Sequence, residues 1–130
     1  MAKAPIGLGK IQLRIMQILW QRGEASARQI TDDLNVHGAI AHSTVQTLLR
    51  QLEGKKLIDH SVKDRVFSFR PLIEQSEVAE SAADDMLSRV FGGSALGLVA
   101  HLVKTKKITR QELDELKTLI DSHLETDEKP

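Results

Sequence analysis

The chain contains no cysteine, and that one absence removes disulfides, thiolate metal sites and cysteine nucleophiles together. It also lacks any apolar run approaching the roughly 18 residues of a membrane span. The opening MAKAPIGLGK is too short and too polar for a signal peptide, so a cytoplasmic protein with no membrane partner is expected. Five histidines stand at 37, 42, 60, 101 and 123, none at a spacing such as H-x-x-x-H, so neither a metal nor a cofactor is expected. Asp59 and His60 lie near Ser61 and Ser68, but no G-x-S-x-G turn surrounds either serine. Gly7-Leu8-Gly9 lacks the strand–turn–helix setting of a phosphate cradle. No set of nucleophile, base and oxyanion donor emerges, so an enzyme is not expected.

What is present is a divided charge. Residues 1–72 hold eleven Lys and Arg against six acids, and residues 73–130 hold seven against twelve, so a half of +5 is joined to a half of −5. A basic arm suits a polyanion and an acidic arm suits something else. At 130 residues the chain can form one domain, or a small domain with a helical appendage. A piece of about 70 residues makes a marginal core alone, so oligomerisation would help it.

Apolar residues at 11, 15, 18 and 19 predict a first helix, ended by Gly23. Ser26 and Gln29 form a capping box that opens a second helix with Ala27, Ile30 and Leu34 inside. Ser43 and Gln46 form another, followed by Val45, Leu48, Leu49 and Leu52 on one face. Two β-favouring runs, 57–62 and 65–70, are separated by Lys63 and Asp64, which reads as a two-residue hairpin with Phe67 and Phe69 turned inward. Beyond Pro71 only helical patterns remain, with a third capping box at Thr109 and Glu112.

This order predicts a mainly α fold with a small β-hairpin wing. It places a winged helix-turn-helix over residues 1–72 and a helical dimerisation segment over residues 73–130. On the third helix the outer face carries Ser43, Thr44, Gln46, Thr47, Arg50 and Gln51, with His42 just before it and no acid until Glu53. Hydroxyl, amide and guanidinium groups hydrogen-bond base edges and phosphate oxygens, and an acid-free face can approach phosphates. Lys63 and Arg65 flank the hairpin tip, where a wing meets DNA backbone. The later helices have apolar faces with few partners in so short a segment, so a second copy of the chain is the natural one. Leu87, Val90, Phe91, Leu96, Val99, Leu102, Val103, Leu113, Leu116 and Ile120 are expected to form that dimer contact.

These residues also suggest a family. IMQILWQRGEASARQI, STVQTLLRQLEGKKLIDH, RVFSFRPL, VFGGSALGLVAHLV and ITRQELDELKTLI together cover nearly all of residues 10–121. In that order and spacing the chain resembles the penicillinase-repressor (BlaI/MecI/CopY) family of bacterial winged-helix repressors. The resemblance implies a homodimer that holds two winged helices over an inverted-repeat operator in double-stranded DNA, with interlocked C-terminal helices. In antibiotic-responsive members a sensor-linked protease pathway leads to cleavage in the dimerisation helix and loss of DNA affinity. By position the matching bond here is His101–Leu102. Members cut in this way carry Asn before the bond, so a polar position on a dimer helix is the other reading of His101. Copper-responsive members carry a C-terminal cysteine cluster that this chain lacks. Ser43 and Gln46 stand where some relatives have basic residues, which implies a different operator sequence. The expected function is therefore a dimeric DNA-binding transcriptional repressor; the alternative is a winged-helix protein–protein docking module.

Overall fold

A computed structural model of the protein describes residues 6–127, with side chains over residues 6–124. Lys3, Glu128 and Lys129 of the charge count and half of the opening segment weighed as a signal peptide lie outside the described residues. The described chain forms two compact units, Met1–Asp84 and Asp85–Pro130.

The first unit begins with α1 (Lys10–Arg22), whose buried stripe is Ile15, Met16 and Leu19. Gly23 stops it at φ 85, where glycine bears no Cβ clash, and its N–H donates to Leu19 O at 2.8 Å. A two-residue strand β1 (Ala25–Ser26) follows, then α2 (Ala27–Leu34). The Ser26–Gln29 capping box forms as the sequence predicts: Gln29 N–H donates to Ser26 Oγ at 3.2 Å, and Ser26 N–H to Gln29 Oε1 at 2.9 Å.

Helix α3 (His42–Gly54) starts two residues earlier than its pattern suggests. Its N-cap is Ala41, which supplies no side-chain cap, so the expected Ser43–Gln46 box does not form. The reason lies upstream. Asn35 brackets Ile40 through its side-chain amide, donating from Nδ2 to Ile40 O at 3.0 Å and accepting Ile40 N–H at 2.5 Å. That clamp fixes the loop and delivers the chain into the helix at His42.

Strands β2 (Ile58–Lys63) and β3 (Val66–Pro71) pair antiparallel, and β1 joins the other edge of β3 to give the order β1-β3-β2. The sequence showed two strands; β1 is too short to carry a periodicity and is held by Ala25 opposite Phe69. Lys63 pairs with Val66, so the turn residues are Asp64 and Arg65 rather than Lys63 and Asp64. Their φ values of 52° and 67° match the doubly left-handed turn that suits the twist of a two-residue hairpin. Phe69 is buried as expected. Phe67, closer to the tip, is 49% exposed instead of packing inward.

The core joins α1, α2, α3 and the sheet through Ile15, Met16, Leu19, Ile30, Leu34, Val45, Leu49, Leu52 and Ile58. The first unit also extends past Pro71: Trp20 Nε1 donates to Ile73 O at 2.8 Å, Val78 is buried, and Ile6 N–H donates to Ser81 Oγ at 3.2 Å. Helix α4 (Gln75–Arg89) runs from this unit into the next.

The second unit holds the end of α4, then α5 (Ala95–Lys104) and α6 (Arg110–Asp127). Ser94 Oγ caps α5 by accepting Gly97 N–H at 2.9 Å. The Thr109–Glu112 box opens α6 with two bonds of 3.0 Å. Among the described residues, none after Val78 is fully buried. Leu87, Phe91, Val99, Leu102, Leu113 and Leu116 are half-buried, and Val90, Leu96, Val103 and Ile120 are exposed. No described helix is long and apolar enough to cross a membrane.

Candidate nucleic-acid interface

With Val45, Leu49 and Leu52 buried, geometry turns Ser43, Thr44, Gln46, Thr47 and Arg50 outward, and all five are exposed. Ser43 and Thr47 are linked along the helix by Thr47 Oγ1 donating to Ser43 O at 3.1 Å. Arg50 Nη2 donates to Thr47 Oγ1 at 3.2 Å, which lays the guanidinium along the outer face rather than away from it. Glu53 is the only acid on α3, and its carboxylate accepts from His60 Nδ1 at 2.6 Å. The outer face is thus free of uncompensated negative charge over its first two turns.

His42 is half-buried and anchored. Its Nδ1 lies 2.7 Å from Thr31 Oγ1, whose own hydroxyl donates to Ala27 O at 2.9 Å. With that single proton committed, Nδ1 is the donor of the pair and Nε2 is the ring's remaining polar atom. Thr31 is buried on α2, so this bond fixes the start of α3 against the preceding helix.

The hairpin stands beside α3. Its base is tied through His60, whose ring stacks on Phe67 with centroids 4.2 Å apart and planes at 15°. Lys63 and Arg65, grouped together by sequence, differ in state. Lys63 Nζ is ion-paired with Glu24, whose carboxyl that contact holds below its ordinary range. Arg65 sits in the turn itself, and among the described residues it has no ion-pair partner. On the same strand pair, the Asp59 carboxyl is held low first by the His60 backbone N–H, which donates to Oδ1 at 2.8 Å, and then by Arg70 Nη2, which donates to Oδ2 at 3.1 Å.

A cleft of about 450 Å³ opens between α3, the first turn of α2 and the hairpin. His42, Gln46, Arg50 and Arg65 line it, and so does Arg28, which the sequence pattern did not single out. Only its place two residues after the Ser26 cap hinted at exposure, and nothing in the spacing linked it to α3. Lys63 is not among the lining residues. The residues expected to form a dimer contact and His101 belong to the other unit. Among the described residues, no three His, Cys, Asp or Glu side chains gather as a metal site would require.

Three helices, a three-stranded sheet and a polar third helix beside a hairpin define a winged helix-turn-helix protein. Residues 8–122 match the penicillinase repressor family. The methicillin resistance regulatory protein MecI of Staphylococcus aureus is 23% identical over 114 residues, covering 88% of this chain and 93% of its own. The penicillinase repressor of Bacillus licheniformis is 24% identical over 112 residues, covering 86% and 88%. Among solved structures, the DNA binding domain of the repressor BlaI is similar with a TM-score of 0.51 at 26% identity, over 59% of this chain and 93% of that one. The chain belongs to the penicillinase repressor family.

Proposed function

We propose that the protein is a DNA-binding transcriptional repressor that sits on an inverted-repeat operator as a homodimer. The observation that carries this is the outer face of α3: five exposed hydroxyl, amide and guanidinium side chains whose one neighbouring helix acid is taken up by His60. Such groups, Arg50 among them, can read base edges while Arg65 and the helix N-terminus meet phosphates. The family relationship and the likeness to the DNA binding domain of BlaI support the same reading.

The second unit supports dimerisation by what it leaves uncovered. Val90 and Leu96 are 70% and 79% exposed, and Leu119, Ile120 and Leu124 add further apolar surface on α6. A second copy of these helices buries that surface, and two half-sites bound together gain avidity that separate monomers lack. Half-sites then lie about 10 base pairs apart, or a multiple of that spacing. Repression follows from occupying the promoter.

Derepression follows from loss of the C-terminal contact, with the His101–Leu102 bond as the position a sensor-linked protease would cut. That bond lies inside α5, and His101 O accepts both Thr105 N–H at 3.0 Å and Thr105 Oγ1–H at 2.8 Å. Cleavage there requires the end of α5 to open first. The test of the repressor reading is footprinting of the purified chain on its neighbouring promoter DNA. Two protected half-sites on one duplex face are expected; heparin retention without specific protection would refute the operator.

A further inference from the structure

The cleft between α3 and the hairpin has a floor that phosphate contact does not explain. Phe67, Phe69 and His60 form a ring cluster there, with Phe67 and Phe69 centroids 6.3 Å apart edge-on and His60 stacked on Phe67. Phe67 nevertheless stays 49% exposed. DNA phosphates gain nothing from an aromatic floor, whereas a planar apolar ligand does. The rim is cationic. Arg28, Arg50 and Arg65 line it, and the one lining carboxylate, Glu53, is occupied by His60. Neither Arg28 nor Arg65 has an ion-pair partner among the described residues. About 450 Å³ lies within the range of small-molecule sites.

We infer that this cleft binds a small planar aromatic carboxylate, its ring on Phe67 and its carboxylate on the arginine rim. A guanidinium meets a carboxylate with two parallel hydrogen bonds and also stacks on rings, so both halves of the ligand are matched. His42, Gln46 and Arg50 serve the cleft and the reading face alike, so ligand and operator exclude one another. The competition rests on the repressor reading; the binding does not. The result is a route to derepression by a small molecule that needs no cut in α5.

The test uses the full chain and 2-naphthoate as the probe, with acetate and 2-naphthylmethylammonium as controls. Nuclear magnetic resonance titration should show saturable shifts of the Phe67 and His60 ring signals with naphthoate in the millimolar range of a small unoptimised ligand. Acetate, which lacks the ring, and the ammonium, which lacks the negative charge, should leave those signals in place. Arg28→Gln, an exposed change, should weaken naphthoate binding severalfold, and Phe67→Ala by about tenfold. Saturating naphthoate should lower the apparent operator affinity of the wild type by at least about tenfold. Unmoved Phe67 signals, equal shifts with the ammonium, or binding that leaves the operator in place would each overturn the inference. Shifts at Phe67 in a chain that binds no operator would uphold the ligand site and remove the repressor reading instead.

Discussion

His60 Nδ1 lies 2.6 Å from Glu53 Oε1, so the hairpin is fastened to the last turn of the reading helix by one polar contact. Both side chains are partly open to solvent, at 28% and 36% exposure. A pair this open to solvent adds little to the stability of the fold. A double-mutant cycle on Glu53→Gln and His60→Ala should give a coupling of about 0.5 to 1 kcal/mol in thermal or chemical unfolding. The operator affinity of both single variants should fall together, since each frees the same strand. Additive effects on affinity would mean the contact does not orient the wing.

Arg50 is exposed, and among the described residues its side chain bonds only to Thr47 on the same helix. Arg50→Ala should therefore leave the far-ultraviolet circular dichroism and the Tm close to wild type. Operator affinity should fall by about 1 to 3 kcal/mol, roughly fivefold to 150-fold, as for a lost base contact. A gel-shift titration that overlays the wild type removes Arg50 from the reading surface.

The two cations of the hairpin should separate in a salt titration. Arg65→Ala should reduce the slope of log affinity against log salt by about 0.9, the value of one phosphate contact. Lys63→Ala should change it less, because Lys63 is held by Glu24. Glu24→Gln should release the lysine and raise DNA affinity. Equal slopes for all three variants would show that the wing does not touch the backbone.

The hydrogen bond from Trp20 to the Ile73 carbonyl and the burial of Val78 place the end of the first unit beyond Pro71. A chain ending after Asp84 should fold and sediment as a monomer, while the full chain sediments as a dimer. A dimeric truncated chain would move the interface into the winged helix.

Asp33 accepts two bonds from Arg22, at 2.7 Å and 3.0 Å, and the guanidinium holds its carboxyl below the ordinary aspartate range. A carboxyl whose folded pKa is depressed adds stability above its unfolded pKa and loses it as pH falls through the folded value. Asp33→Asn should lower the Tm slightly at neutral pH, because the pair is open to solvent. The gap to wild type should close in acid. A gap independent of pH would assign the effect to something other than the ion pair.

Local patterns were legible in the sequence and non-local ones were not. The Ser26–Gln29 and Thr109–Glu112 boxes could be read because partners three residues apart decide them. The same pattern misled at Ser43, where the Asn35 clamp on Ile40 sets the helix start from outside the motif. The outward face of α3 followed from its buried stripe. The Lys63 pairing with Glu24 and the place of Arg28 at the cleft join residues far apart in sequence, and periodicity carries no trace of either. The hairpin was right in kind, but its turn lies one residue later because cross-strand pairing, not turn preference, sets the register.

Arg65 holds its φ of 67° without being glycine. A side chain in that region costs about 1 to 2 kcal/mol, and glycine there would relax the turn. Glycine would also carry no charge. One position thus serves two opposed demands, a comfortable bend and a cation at the apex, and this chain satisfies the second at the expense of the first. Selecting variants of this hairpin for heat resistance alone should therefore favour glycine at 65 and, in the same step, erode the hold on DNA.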